Sequence, residues 1–163
     1  MDAPARSTRT LPDPEATAAF ARWLAPQLGA GDTVLLSGPI GAGKTHLARA
    51  LIQHLQAAHG AAEDVPSPSF TLVQEYRAGD LEIRHVDLYR LSDAGELPEL
   101  GLDEALDTAL CLIEWPERLG DDAPAGALEL ALTPEGTGRR LRLRGAAPRW
   151  GALIAAVGED AHG

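Results

Sequence analysis

The sequence predicts an α/β fold in which helices flank a mostly parallel central sheet and an antiparallel hairpin lies near the C-terminus. Three observations support this fold class. A helix pattern, a short strand, a glycine-rich stretch and a second helix pattern follow one another over residues 14–55. Residues 109–113, ALCLI, are apolar at every position, as is typical of a strand covered on both faces in a parallel sheet. The segments ALELAL and RRLRLR alternate apolar and polar residues on either side of TPEGTG, which indicates a hairpin.

The N-terminal part of the chain predicts a helix, a strand and a second helix. Asp13 can cap a helix over residues 14–28, where apolar side chains recur at helical spacing. Residues 33–37, TVLLS, form a short apolar run that is rich in strand formers. After the glycine-rich stretch, apolar residues between 47 and 55 lie on one helical face.

The middle of the chain predicts a second hairpin, short helices and the central strand. A strand over residues 70–76 follows two prolines, and the Gly-Asp pair that precedes Leu81 predicts a turn into a return strand over 81–89. Between residues 92 and 107, Pro98 and Gly101 interrupt the apolar pattern, which favours short helices.

The C-terminal hairpin has one apolar and one basic face. Leu141 and Leu143 are expected to point inward. Arg140, Arg142 and Arg144 then face outward, where they could contact RNA or a partner. A solvated face opposite acids such as Glu129 is the commoner outcome, and we favour it. Apolar residues from 150 to 157 predict a short closing helix.

Composition limits the possible classes of protein. A chain of 163 residues with 45% hydrophobic content predicts one compact domain, which we place over residues 10–158, with flexible ends at 1–9 and 159–163. The net charge of -10 argues against autonomous binding to RNA or DNA. Cys111 is alone among apolar neighbours, so we expect a buried, reduced thiol and a cytoplasmic location. No segment approaches the roughly 18 apolar residues of a spanning helix, so we expect no membrane anchor.

Residues 38–45, GPIGAGKT, match the phosphate-binding pattern G-x-x-x-x-G-K-[ST] between a predicted strand and a predicted helix. Such a loop closes its backbone N–H groups around phosphate oxygens at the positive end of the helix. The sequence therefore predicts a P-loop NTPase fold. The residues expected to bind the nucleotide are Gly38, Pro39, Ile40, Gly41, Ala42, Gly43, Lys44, Thr45 and His46.

Two side chains of this loop have distinct chemical tasks. Lys44 is the only lysine in a chain that otherwise uses arginine. A flexible ammonium can bridge the β- and γ-phosphates, where a planar guanidinium would demand fixed bidentate geometry. Thr45 supplies a hydroxyl to Mg²⁺, which takes few protein ligands. A glycine-rich loop before an ordinary helix is the alternative, and the strand and helix context favours nucleotide binding over it.

Two acidic residues, Asp87 and Glu114, follow predicted strands. Either can complete a metal site or orient water, because phosphoryl transfer needs Mg²⁺ positioned against the γ-phosphate. Glu114 is the stronger candidate by strand quality, since ligands lie at the carboxyl ends of strands in open α/β sheets. Asp87 is nearly as well explained as a turn or cap residue.

Several other residues admit two interpretations. Ser67, Ser69 and Thr71 could contact the γ-phosphate or its metal as a nucleotide-sensing switch, although exposed loop hydroxyls are the commoner outcome. Trp115 is either a partner anchor or a core residue, and core is the commoner fate of a tryptophan. The five histidines show no zinc pattern or catalytic triad.

Five segments together resemble the TsaE (YjeE) family, the bacterial P-loop ATPases required to form threonylcarbamoyladenosine in tRNA. They are GPIGAGKT, SPSFTLVQEY, HVDLYRL, ELGLDEAL and LIEWPER, in the same order and spacing, between about residues 10 and 118. The resemblance implies an ATPase that uses ATP and Mg²⁺ and acts on the complex of TsaB and TsaD. Its contact with tRNA would be indirect, through that complex.

The resemblance also implies roles for individual residues. The phosphate and metal ligands match Lys44 and Thr45, and the family's acidic positions match Asp87 and Glu114. We therefore expect Lys44, Asp87 and Glu114 to be catalytic, and Thr45, Asp87 and Glu114 to hold the metal. The switch segment SPSFT contains two expected nucleotide contacts, Ser69 and Thr71.

Other positions are matched less closely. Thr17 falls in the region expected near the adenine, and Tyr89, Arg90 and Trp115 also fall on motif positions. Pro39, Ile40 and Ser69 stand where the family pattern leads us to expect Asp, Leu and Thr. Ser69 keeps the hydroxyl.

Two other classes of function share the P-loop. A small-molecule kinase would need an acceptor pocket and an arginine-bearing lid, and RRLRLR is better explained as a strand. A nucleotide-sensing interaction module would bind ATP without useful hydrolysis. A phosphate-acceptor screen tests for the kinase, and phosphate release with and without TsaB and TsaD tests for the module without useful hydrolysis.

Overall fold

The computed structural model describes residues 4–60, 65, 72–91 and 100–158. The strands are β1 (Ala5–Leu11), β2 (Thr33–Ser37), β3 (Val73–Ala78), β4 (Leu81–Asp87), β5 (Leu110–Glu114), β6 (Leu128–Glu135) and β7 (Gly138–Gly145). The helices are α1 (Pro14–Leu24), α2 (Lys44–Ala57), α3 (Leu102–Thr108) and α4 (Ala147–Gly158), and 3-10 segments span Ala25–Gln27 and Pro116–Asp122. The strands form one sheet in the order β1-β7-β6-β2-β5-β4-β3.

The sheet confirms the α/β class, the parallel centre and the antiparallel C-terminal hairpin, although the sheet as a whole is mixed rather than mostly parallel. The four central strands, β6, β2, β5 and β4, run parallel to one another. The other three neighbouring pairs, β1 with β7, β7 with β6, and β4 with β3, are antiparallel. The sheet is evenly mixed because two hairpins and the N-terminal strand extend a parallel centre at its edges.

The N-terminal strand also corrects the expected domain boundary. Residues 5–9, expected to be part of a flexible end, belong to β1, which pairs along its whole length with β7. The strand carries few apolar residues, and Leu11 at its end is buried. Backbone pairing with β7, which sequence periodicity does not report, therefore holds this edge strand in place. The expected flexible end at 159–163 lies outside the described residues.

Element boundaries differ from the prediction in three places. Helix α1 ends at Leu24, short of residue 28, because Pro26 lacks the N–H that a continuing helix needs. Strand β3 begins at Val73, and positions 70 and 71 of the expected strand lie outside the described residues. Strand β4 ends at Asp87, whose Oδ1 accepts a hydrogen bond of 2.9 Å from the N–H of Tyr89 and so forms a turn.

The remaining described elements lie where the sequence predicts them. β5 is buried at every position between two parallel neighbours. Leu141 and Leu143 point into the core from β7. The outward Arg144 lies opposite Glu129, with 3.9 Å between Nε and Oε2, which confirms a solvated face with an acid opposite the arginine. Helix α3 lies in the region of the expected short helices, of which residues 92–99 are not described.

Two hydrophobic clusters cover the two faces of the sheet. Alternation along β5 directs Leu110 and Leu112 into the cluster that contains α1, α2 and α4, and Cys111 and Ile113 into the cluster that contains α3. Burial raises the pKa of the Cys111 thiol to about 11, as expected for an unreactive core cysteine. Within the described ranges, no helix has both the length and the apolar character needed to cross a membrane.

Candidate functional site

The glycine-rich loop connects β2 to α2, and two of its glycines have conformations that other residues avoid. Gly38 has a φ of 141°, and a Cβ at this position would overlap the carbonyl oxygen of Leu132 on β6. Gly43 has a φ of 102° and is the N-cap of α2. Because glycine alone adopts these angles readily, the loop can pass close to β6 and then turn into the helix.

Arg139, the second residue of β7, contacts the same loop. Its Nε donates to the carbonyl oxygen of Ala42 and its Nη2 to that of Gly41, both at 2.9 Å. A third bond, from Nη1 to the carbonyl oxygen of Gly138 at 2.8 Å, fixes the guanidinium on its own strand. The planar fork of donors thus ties the loop to the C-terminal hairpin.

The side chain of Lys44 is buried and folds back on the loop. Its Nζ donates to the carbonyl oxygens of Gly38 and of Pro39, the latter at 3.1 Å. Nζ also lies 4.0 Å from the centre of the Trp115 ring, in a cation–π contact. Burial lowers the pKa of Lys44 from its usual value. Nearby carboxylates oppose that shift, in the order Glu114, Glu117 and Asp87.

Thr45, Glu114 and His85 form a hydrogen-bonded group, in which Glu114 and His85 are buried. The hydroxyl of Thr45 lies 2.9 Å from each carboxylate oxygen of Glu114. On its other side, Oε2 of Glu114 lies 2.7 Å from Nε2 of His85. Glu114 is 2% exposed and His85 is 0% exposed. Thr45 is at the start of α2 and Glu114 ends β5, so parallel neighbouring strands bring them together.

Asp87 ends β4 directly beside Glu114, its registered partner on β5. The side chain is buried, and the turn bond to Tyr89 confirms that Asp87 is a turn residue. It also faces the cavity next to the loop, so the two interpretations of this acid are compatible.

The cavity beside the loop measures about 410 Å³ and brings together the loop and the ends of β4 and β5. Tyr89, Arg90 and Trp115 complete its lining. The rings of Tyr89 and Trp115 lie 4.9 Å apart between centres. Trp115 has a φ of 60°, a left-handed conformation at the end of β5 that is uncommon outside glycine. The structure therefore places Trp115 in the wall of the site, in contact with Lys44.

A second cavity of about 290 Å³ lies between the start of α1 and the start of β7. Thr17, His46 and Arg139 line it together with Ala42 and Gly43 of the loop. Nε2 of His46 lies 3.0 Å from the carbonyl oxygen of Pro14, which links α2 to the N-terminus of α1. This cavity adjoins the glycine-rich loop, since both cavities share Ala42, Gly43 and His46 in their linings.

The structure thus brings together Lys44, Thr45, Asp87 and Glu114, as the sequence predicts, and places Thr17 and His46 in the adjoining cavity. The predicted switch residues Ser67, Ser69 and Thr71 lie outside the described residues. Two members of the site were not predicted, His85 and Arg139. A lone histidine in a strand gives no sequence signal beyond core packing, and Arg139 precedes the alternating arginines that drew attention to the hairpin.

The available donors suit a hard divalent cation. They are the hydroxyl of Thr45 and the carboxylates of Glu114 and Asp87, all oxygen ligands of the kind that Mg²⁺ prefers. Across the described part of the chain, no group of three or more His, Cys, Asp or Glu residues is arranged to hold a metal by itself.

Fold and site together define an α/β protein whose glycine-rich, phosphate-loop-type connection faces two acids at the ends of neighbouring parallel strands. The chain belongs to the TsaE family. The family model, described as threonylcarbamoyl adenosine biosynthesis protein TsaE, matches residues 11–141.

Several proteins named tRNA threonylcarbamoyladenosine biosynthesis protein TsaE are similar in sequence to this chain. The protein of Rickettsia conorii is 44% identical over 108 residues, which cover 66% of this chain and 60% of that protein. The Bacillus subtilis protein is 35% identical over 129 residues, or 78% of each chain. This chain thus spans about three fifths of the length of its Rickettsia conorii relative. The crystal structure of Bacillus subtilis YdiB superposes with a TM-score of 0.79 at 26% identity and covers 98% of both chains.

Proposed function

We propose that this protein binds ATP with Mg²⁺ at residues 38–45 and hydrolyses it, as a subunit of the machinery that forms threonylcarbamoyladenosine in tRNA. The observation that carries the proposal is the contact between Thr45 and Glu114 at 2.9 Å, directly beside Lys44. It joins the last residue of a phosphate-loop sequence to a buried acid, the pairing that phosphoryl transfer to water needs.

The phosphates of ATP would lie against the loop and the N-terminus of α2. This helix has 14 residues, and the positive end of its dipole faces the loop. The ammonium group of Lys44 would exchange the carbonyl oxygens of Gly38 and Pro39 for the β- and γ-phosphates. Because Trp115 contacts the same ammonium, the ring limits where the lysine can move.

Mg²⁺ would be held by Thr45 with support from Glu114 and Asp87. The ion supplies positive charge against the developing charge of the γ-phosphoryl group. The protein's own contribution is to hold a carboxylate close to that position. Glu114 is buried and bonded on two sides, so it can orient a water molecule without reorganising.

The base would occupy the second cavity, beside Thr17. Its lining offers the ring of His46, the guanidinium plane of Arg139 and the backbone at Gly138, a mixture of flat and polar groups that suits a purine. The two cavities adjoin at the loop, as a nucleotide that spans them requires.

The proposed partners are TsaB and TsaD, and tRNA would be contacted only through their complex, in the cytoplasm. The family membership supports the pathway, since the relatives carry its name. A net charge of -10 disfavours direct association with an RNA backbone. A partner accelerates hydrolysis only if it binds the hydrolysis-competent arrangement more tightly than the resting one.

Steady-state phosphate release tests this proposal. It is measured for the protein alone, with tRNA, with the TsaB–TsaD complex, and with both, using Lys44→Ala as the inactive control. We expect slow release alone and marked acceleration by the complex. Strong stimulation by tRNA alone, or none by the complex, contradicts the proposal. Transfer of the γ-phosphate to a metabolite in an acceptor screen would identify a small-molecule kinase instead.

A further inference from the structure

We propose that His85 is a positioning residue, which holds the carboxylate of Glu114 in the orientation that hydrolysis requires. The inference rests on the function proposed above for Glu114. It starts from a histidine that is completely buried and whose one polar contact among the described residues is to the acid of the candidate site.

Most described neighbours of His85 are apolar, and one, its registered partner Gln74 on β3, is polar. Alternation along β4 places Ile83 and His85 on the face that packs toward α2, and the register places Leu112 of β5 directly beside His85. Ile83 and Leu112 are both fully buried. A leucine at position 85 would suit Ile83 and Leu112 and would need no hydrogen bond.

Within the described structure, one of the two imidazole nitrogens of His85 has a hydrogen-bond partner. Nε2 lies 2.7 Å from Oε2 of Glu114, and an ionised carboxylate can only accept, so Nε2 carries the hydrogen. Nδ1 is buried, and no hydrogen-bond partner for it is found in the described structure. A buried polar atom without a partner is unfavourable to folding. The bond to Glu114 is therefore the contact that accounts for a histidine at this position.

Glu114 needs such a contact because Thr45 does not fix its rotation. The Thr45 hydroxyl is equally close to both carboxylate oxygens, 2.9 Å in each case. The terminal torsion of a glutamate has a broad range of allowed angles. A contact shared equally by both oxygens therefore does not fix the rotation of the carboxylate. His85 contacts Oε2 only and makes the two oxygens different. It thereby determines which oxygen is available to the cavity.

Three substitutions separate positioning from packing. In His85→Gln, the side-chain amide nitrogen can take the place of Nε2. In His85→Asn, the amide nitrogen reaches only the place of Nδ1, and His85→Leu has no donor. We expect all three variants to bind a fluorescent ATP analogue within about threefold of the original protein. Turnover should be largely kept by the Gln variant and fall about 10- to 100-fold in the Asn and Leu variants, as for other residues that orient a ligand.

A second measurement does not depend on activity. Two-bond ¹H–¹⁵N NMR correlations of the nucleotide-free protein should show His85 as the tautomer with hydrogen on Nε2, and Glu114→Gln should shift these signals. Thermal unfolding of all three variants separates a loss of fold from a loss of orientation, because the Asn and Leu variants both leave Oε2 of Glu114 without this donor.

The outcomes are separable from those of the proposed function. An active His85→Leu variant of an active protein overturns only the role of His85. A Gln variant as slow as the Leu variant, or hydrogen on Nδ1, also overturns it. A protein that hydrolyses no ATP even with TsaB and TsaD overturns the proposed function itself.

Discussion

The hydroxyl of Thr45 lies 2.9 Å from both carboxylate oxygens of Glu114, although 69 positions separate the two residues. Thr45 opens α2 after β2, and Glu114 closes β5, the parallel neighbour of β2. The contact is thus a consequence of parallel pairing, which aligns the carboxyl ends of both strands at one edge. The chemistry proposed here depends on that alignment.

The lone lysine of the chain provides the most direct test of nucleotide binding. We expect Lys44→Ala to lower ATP affinity at least about tenfold, which corresponds to about 1.4 kcal/mol. Lys44→Arg should also lower ATP affinity, because a planar guanidinium does not match the position of the ammonium between the carbonyl oxygens of Gly38 and Pro39 and the Trp115 ring. Titration with a fluorescent ATP analogue measures both.

Arg77→Lys, the reverse exchange on the exposed part of β3, is the control for the lysine variants. Near-normal binding and turnover by Lys44→Arg would contradict the argument from geometry, because charge alone would then suffice.

The two acids should affect turnover more than binding. Glu114→Gln and Asp87→Asn keep the size of each side chain, so the fold should persist. An interaction made mainly in the transition state lowers kcat without weakening substrate binding equally. We therefore expect Mg²⁺-dependent phosphate release to fall at least about tenfold in each variant while the Kd for ATP changes little.

Glu129→Gln on the solvated face of the hairpin is the matched control for the acids. Full activity of Asp87→Asn would show that hydrolysis does not need the Asp87 carboxylate, and its role would then be structural, as in the turn bond to Tyr89. Full activity of Glu114→Gln would remove the basis of the proposed mechanism.

The elements that sequence reasoning located are those whose stability is encoded locally. β5 is uniformly apolar because both of its faces are covered, and α2 has an apolar face behind a glycine-rich start. β1 was missed because an edge strand such as ARSTRTL has no apolar alternation and depends on β7, more than a hundred positions away. His85 was missed for the same reason. Its partner is 29 positions distant, and only the folded register reveals it.

The single thiol offers a test of burial through its pH dependence. Desolvation raises the pKa of Cys111 to about 11, so at pH 8 only about one thiol in a thousand is ionised. Because the thiolate is the reactive form, alkylation by iodoacetamide should be very slow at pH 8 and become faster as the pH rises toward 11. Mass spectrometry follows the modification, and the denatured protein is the control. Rapid alkylation of the native protein at pH 8 would contradict the buried position on β5.

Arg139 should support the phosphate loop from outside it. Its fork donates to Ala42 and Gly41, residues 97 and 98 positions away, and so holds two loop carbonyls turned toward the hairpin. Because these carbonyls are already fixed, the backbone of the loop loses less conformational freedom when phosphate binds. This pre-organisation raises the affinity for phosphate. Arg139→Lys keeps the charge but offers one donor centre in place of a planar fork, and Arg139→Gln loses the charge as well.

We expect both Arg139 variants to lower ATP affinity about tenfold, since hydrogen bonds to charged groups are worth about 1.5–3 kcal/mol. Arg140→Lys is the matched control, because the neighbouring Arg140 bonds Glu135 at 2.6 Å and does not touch the loop. Calorimetric titration with ATP, together with thermal unfolding of each variant, separates loop support from general stability. Unchanged affinity in Arg139→Lys, or an equal loss in Arg140→Lys, would show that the fork does not organise the loop. A loss confined to position 139, with an unchanged melting temperature, is the result that the two 2.9 Å bonds predict.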